Sequence, residues 1–220
     1  ITANTAQNPN TLIATNPVSQ KILKEQILAV TTHFDISFTK TGLLTSKEQI
    51  NIIADTIKDR SIVADPVMIS TSGTEIMDNV TIDNYKKSLL PKTHVLTPNW
   101  PEASTLSGVN ITNDKTAMAA INTLYQSFGC HIYLKGGHSK TPGIDYLHDG
   151  QNFWKLSSPE VSIKSSHGTG CRLSSAICAS LANELSLLDA AIKAKNYVYR
   201  SLLSCQLLKN NRYVMSSPGA

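Results

Sequence analysis

The chain lacks most of what would tie it to a membrane, an oxidising compartment or a nucleic acid. In 220 residues no apolar run approaches the roughly 18 needed to span a bilayer. The opening Ile1-Thr2-Ala3-Asn4-Thr5-Ala6-Gln7-Asn8 has neither the charged start nor the apolar centre of a signal peptide, and no initiator Met. Cysteine is scarce. The four cysteines (130, 171, 178 and 205) form no CxxC pair and no zinc-ligand spacing, which predicts free thiols in a reducing compartment, the cytoplasm. Charged residues make up 16%, and the net charge of +4 comes from scattered Lys and Arg. That scatter argues against a nucleic-acid footprint but leaves room for an anionic small molecule. Internal repeats, low-complexity tracts and interdomain linkers are missing too. At 41% hydrophobic, the chain reads as one α/β domain over residues 1–220.

What is present alternates. Extended apolar runs near 36–39, 61–64, 94–96 and 131–134 separate helix-period segments, the pattern of crossover units and a mostly parallel sheet flanked by helices. The spacing predicts helices over about 17–31, after Ser46, over 82–90 (stopping before Pro91), 101–106, 113–128 (ending at Gly129), 169–184 and 186–203. Ser46 followed by Gln49 predicts a capping box. Asp149-Gly150 between 144–148 and 153–156 predicts a peripheral hairpin.

The most informative stretch is His167-Gly168-Thr169-Gly170-Cys171. Two glycines around a threonine let the backbone turn tightly and expose N–H groups, and the apolar residues Leu173, Ile177 and Leu181 then continue as a helix. Amides at a helix start favour an anion, and the same field predicts a lowered pKa for the Cys171 thiol. The same residues also suit an ordinary Gly-rich loop before a core helix, with Cys171 as a small packing group. Three further strand-end loops carry pointed chemistry. Asp65-Pro66-Val67-Met68 and Thr97-Pro98-Asn99-Trp100-Pro101-Glu102 supply hard oxygen donors suited to a phosphate-bound Mg²⁺. Lys135-Gly136-Gly137-His138 offers a point charge to a phosphate. In an open parallel sheet such loops gather at one edge, where ligands bind.

These segments, with Thr5-Ala6-Gln7-Asn8, Lys40-Thr41-Gly42-Leu43-Leu44, Ser72-Gly73 and Leu90-Pro91, occur over nearly the whole chain. Together they resemble the hydroxymethylpyrimidine/phosphomethylpyrimidine kinases of thiamine biosynthesis, in the ribokinase-like superfamily. The resemblance implies a three-layer ribokinase-like fold and ATP-dependent phosphorylation of hydroxymethylpyrimidine and its monophosphate, to the diphosphate. It implies a pyrimidine and MgATP as small-molecule partners, and a homodimer. By the same resemblance Gln7, Leu43 and Val67 line the pyrimidine pocket. The amides of Gly168, Thr169 and Gly170 stabilise the transferring phosphoryl group, and Cys171 acts at the acceptor oxygen as base or hydrogen-bond donor. Lys135, Asn99 and Thr169 face the nucleotide, and Asp65 and Glu102 organise Mg²⁺.

Two departures stand out. The family's opening strand and Gly-rich substrate loop are not within this sequence, so the domain is expected to lack both. Arg172 stands where the family usually has Thr, and would either touch a phosphate or face solvent. Two alternatives fit the same residues: a pyridoxal or pyridoxine kinase, and a non-catalytic pyrimidine- or nucleotide-binding homologue.

Overall fold

Short strands such as Ile62–Ala64, apolar on both faces, can be covered only between two layers of helix, and that is the arrangement found. The computed structural model describes residues 1–8, 11–57, 61–70, 73–137, 143–161, 168–207 and 213–215. Strands β1 (Ala3–Gln7) and β2 (Leu12–Pro17) pair antiparallel and lead into helix α1 (Gln20–Thr31). Then follow β3 (Thr39–Thr41), α2 (Lys47–Thr56), β4 (Ile62–Ala64), α3 (Asn79–Asn84), β5 (Thr93–Leu96), α4 (Trp100–Ser107), α5 (Asp114–Phe128) and β6 (His131–Leu134). The hairpin β7 (Ile144–His148) and β8 (Phe153–Ser157) precedes α6 (Thr169–Ala182), α7 (Leu187–Leu203) and the short pair β9 (Gln206–Leu207) and β10 (Tyr213–Val214).

The central sheet runs β3-β4-β5-β6-β7-β8. Its first three pairings are parallel and its last two antiparallel, so the expected mostly parallel sheet is a mixed one with the hairpin at its edge. Alternate strand residues sort to opposite faces. Ile62, Ala64, Leu96, Ile132 and Leu134 join the larger core with α2, α4 and α5. Val63, Val95, Tyr133 and Leu147 meet Leu173, Ile177 and Leu181 of α6 and the small residues Ala190, Ala191 and Ala194 of α7. Among the described residues no helix is long and apolar enough to cross a membrane.

Local expectations fared unevenly. The Asp149-Gly150 turn forms, with Asp149 Oδ1 accepting from the amides of Gln151 (2.8 Å) and Asn152 (2.6 Å). The strand expected near 36–39 lies at 39–41, where pairing with β4 places it. The helix expected over 82–90 is α3, then a wide π turn over 85–89 and a 3-10 turn through Pro91. That irregular path keeps both Tyr85 and Leu89 fully buried. Only half of the Ser46–Gln49 box forms: Ser46 Oγ accepts from the Gln49 amide (3.4 Å). The Gln49 side chain instead accepts from Thr45 N (2.9 Å) and donates to Thr2 O (2.7 Å). The β1–β2 hairpin had no sequence signal, because both strands are largely exposed and polar.

Candidate active site

The C-terminal ends of β4, β5 and β6 and the start of α6 converge on one side chain, Lys135. Its backbone amide donates to Pro98 O (2.8 Å), which stitches the end of β6 to the loop after β5. Its ammonium lies 2.8 Å from Asp65 Oδ1, just past β4, and 3.6 Å from Glu102 Oε2, in the first turn of α4. Burial disfavours the Lys135 charge, but Asp65 and Glu102 outweigh it and hold the pKa above the usual lysine value.

Glu102 has two jobs in this geometry. With Asn99 it forms a capping box: Asn99 Oδ1 accepts from the Glu102 amide (2.9 Å) and Glu102 Oε2 from the Asn99 amide (2.7 Å). Burial pushes its carboxyl from 4.5 up to about 7, against the pull of Lys135 and the Asn99 amide. Asp65 is almost wholly buried and is gripped from three sides. Lys135 holds Oδ1, Ser174 Oγ donates to Oδ2 (3.1 Å), and Lys40 Nζ lies 3.9 Å from Oδ2.

The cradle completes the site. Gly168 precedes α6 at φ 85°, a left-handed conformation that suits glycine, and no side chain caps the helix. A Cβ on Gly170 would stand 3.2 Å from Lys135 Nζ, so the cradle passes directly beside the ammonium. A cavity of about 540 Å³ is lined by Asp65, Val67, Asn99, Glu102, Lys135 and Cys171 together with the cradle. A second, of about 260 Å³, shares Lys135, Gly137, Thr169 and Gly170 with it and extends towards Asp145, Lys195 and Tyr199. The two cavities meet at Lys135 and the cradle, and each carries charged side chains in its lining.

Nine of the sequence-derived candidates therefore meet at one cavity: Asp65, Val67, Asn99, Glu102, Lys135, Gly168, Thr169, Gly170 and Cys171. Two do not. Gln7 is exposed on β1, and Leu43 lies outside the cavity lining with its carbonyl accepting from Thr2 Oγ1 (2.6 Å). His138, His167 and Ser72 lie outside the described residues.

The expectation of an acidic Cys171 is overturned. Part of the residue reaches solvent, but its thiol is set beside Asp65. Burial and that carboxylate push its pKa up, outweighing Lys40 and Lys135. Arg172, half-buried, donates from Nη2 to Met215 O (2.8 Å), tying the segment 213–215 to the base of α6. Sequence reading missed Ser174 and gave Lys40 no role. Ser174 falls one turn after Gly170, on the same helix face, and that spacing was the available signal.

Among the described residues no group of three or more His, Cys, Asp and Glu forms a metal cage. A Mg²⁺ that arrives on phosphates needs only one or two carboxylates. Asp65 and Glu102 meet that donor count, with one oxygen of each turned to the Lys135 ammonium.

The mixed sheet between helical layers, with Lys135 and the uncapped helix start at its carboxyl edge, matches the ribokinase-like fold of solved small-molecule kinases. The fold matches a pyridoxal kinase from Staphylococcus aureus solved in complex with ADP, with a TM-score of 0.88 and 25% identity over 99% of this chain and 81% of that one. The sequence pattern of the phosphomethylpyrimidine kinase family matches residues 1–215, and the chain belongs to that family. It is 34% identical to a hydroxymethylpyrimidine/phosphomethylpyrimidine kinase of Rhizobium meliloti, over 95% of this chain and 80% of that protein. It is also 34% identical to a thiamine biosynthesis bifunctional protein of Geobacter sulfurreducens, over 94% of this chain. The chain spans 43% of that bifunctional protein's length.

Proposed function

We propose that this chain transfers the γ-phosphoryl group of ATP to hydroxymethylpyrimidine and, chiefly, to its monophosphate. The observation that carries this reading is the position of Lys135, held between Asp65 and Glu102 where the two cavities join and beside the uncapped start of α6. Phosphoryl transfer asks mainly for positioning and charge stabilisation. The nucleotide lies along the smaller cavity with its phosphates crossing the Gly168–Gly170 amides, and the pyrimidine occupies the larger cavity against Val67. Lys135 meets the charge that spreads over the phosphoryl oxygens. Mg²⁺ carried in on the phosphates would be held by Asp65 and Glu102, directly or through water, and would supply charge neutralisation to the phosphates.

The raised pKa of Cys171 bears on the choice of acceptor. At neutral pH the thiol stays protonated, so it donates a hydrogen bond and orients the acceptor rather than removing its proton. A phosphate acceptor is already ionised and needs no base, which suits the monophosphate as the main substrate. Pyridoxal is the second reading, favoured by the close superposition on the Staphylococcus aureus enzyme. We also propose a cytoplasmic homodimer of single domains. The exposed apolar residues Ile22, Leu28 and Val30 of α1 and Phe34 beyond it support a subunit interface, which sedimentation would reveal.

The direct test is steady-state phosphorylation with MgATP on the pyrimidine, its monophosphate and pyridoxal. The highest kcat/KM is expected for the monophosphate. Preference for pyridoxal would move the assignment to the second reading, and nucleotide binding without transfer to any of the three would make the chain a binding homologue.

A further inference from the structure

A second cluster of buried charge lies immediately behind Lys135, at the rim of the smaller cavity, and the reading above gives its bonds no role. The two oxygens of Asp145, on β7, accept three hydrogen bonds. Tyr133 OH and Lys195 Nζ each donate to Oδ2 at 2.7 Å, and the amide of Gly136 donates to Oδ1 at 2.7 Å. Tyr133 is fully buried, and Lys195 reaches in from α7 with 8% of its surface exposed. Gly136 is the residue next to Lys135. A Cβ added to it would lie 1.4 Å from Ile144 O, so the turn runs directly against β7 and admits no side chain there. On its other side the same turn is held by the bond from Lys135 N to Pro98 O.

A buried ion pair contributes little net stability compared with apolar side chains of the same volume. The three bonds on Asp145 do fix a geometry. The Lys135 ammonium sits at the end of a long flexible side chain, so its reach to Asp65 and Glu102 depends on where its backbone is anchored. Pro98 O anchors one side of that backbone and Asp145 the other.

We propose that Asp145, itself held by Tyr133 and Lys195, is a positioning residue that sets Lys135 for phosphoryl transfer through the Gly136 amide. The inference rests on the kinase reading in taking Lys135 as the group that meets the phosphates. It adds a link from α7 through the rim of the smaller cavity to the reacting centre, since Asp145 and Lys195 also line that cavity.

Two near-isosteric chains test it. Both carry Tyr133→Phe and Lys195→Met; one adds Asp145→Asn, which keeps an acceptor for the Gly136 amide, and the other Asp145→Leu, which removes it. Both should melt within a few degrees of one another. The Leu chain should show kcat between about tenfold and a hundredfold below the Asn chain, as expected for a misplaced charge. Its KM for ATP should change by less than about threefold, because ground-state binding is shared over many contacts. The Lys135–Asp65 contact, read from crystal structures of the two chains, should be kept in the Asn chain and lost in the Leu chain. Equal kcat and an unmoved Lys135 ammonium in the two chains would overturn the proposal. If the Leu chain does not fold, hydrogen exchange of the Gly136 amide in the unaltered protein decides. Strong protection is expected, and exchange at free-peptide rates would overturn it. If the unaltered chain phosphorylates nothing, the kinase reading falls, while the position of Lys135 in the two chains and the Gly136 exchange still decide whether Asp145 positions Lys135.

Discussion

Helices α4 and α6 both begin beside Lys135, and they are built in opposite ways. The start of α4 is closed by its own side chains: Asn99 and Glu102 satisfy each other's amides in a reciprocal box. The start of α6 has a left-handed glycine and no side-chain cap. The other six α-helices among the described residues all begin on a Ser, Asp or Asn whose side chain accepts from the first turn. The difference teaches where the protein supplies its own anion and where it waits for one. At α4 the anion is Glu102, whose carboxylate also reaches Lys135. At α6 the proposed function gives the same role to an oxygen of the ligand.

Four changes break or sharpen that contrast. Lys135→Met removes the charge between the two helix starts. Turnover should fall by about 10³-fold, the scale for losing a preorganised charge at the reacting centre. Kinetics at saturating ATP check it, and a loss confined to KM would show that Lys135 only binds.

Next is Glu102→Gln, which keeps a capping acceptor but removes the charge. The folded pKa of Glu102, about 7, lies above its ordinary 4.5. Its contribution to stability is therefore fully present below about 4.5 and is lost as pH rises to about 7. The variant escapes that loss, so its stability relative to the parent should rise by about 3 kcal/mol across this window and then level off. Denaturation at pH 4.5, 6 and 8 measures it. A constant difference would mean that the carboxyl titrates normally. The variant should also need more Mg²⁺ for half-maximal rate.

Cys171→Ala tests the open helix start. Loss of the donor at the acceptor oxygen should lower kcat on the order of 10²-fold with nucleotide affinity retained. With its pKa raised, the parent thiol should react slowly with iodoacetamide at pH 7 and faster above pH 9. Rapid alkylation at neutral pH would restore the acidic thiol that the helix-start argument predicts.

The smallest effect is expected for Asn99→Ala, which opens the closed start. It should cost about 1 kcal/mol of stability, visible as a drop of about 2–4 °C in melting temperature for a chain of this length. No shift would mean that water replaces the Asn99 side chain without loss.

Much of the architecture was legible in short-range pattern. Helices α5, α6 and α7 and the β7–β8 hairpin follow from apolar period, capping residues and turn chemistry, which act within a few residues. The path from Tyr85 to Lys92 was not legible. Its π and 3-10 turns follow from the need to bury Tyr85 and Leu89 against residues distant in sequence. In the site, glycine spacing, strand-end carboxylates and the strand-end lysine pointed to seven residues that do converge, because loops at the ends of parallel strands are brought to one edge by topology; Val67 and Asn99, which join them at the cavity, came from the resemblance. Gln7 and Leu43 came from family resemblance alone, with no local signal that places a side chain in a cavity.

By itself the sequence determined the α/β alternation, the cradle before α6 and the residues that bear chemistry, because these depend on local backbone preference and on side-chain type. Only the tertiary structure decided their electrical state and their partners. Field strength at a helix start argued for an acidic Cys171, and burial, together with a carboxylate 106 positions earlier in the chain, reversed the sign. Glu102 passed from an ordinary first-turn acid to a group titrating near 7 once burial and Asp65 acted on it. Arg172 turned away to Met215, and Asp145 found the amide beside Lys135. Charge and desolvation act through space over a few ångströms, and those distances are set only when the chain has folded.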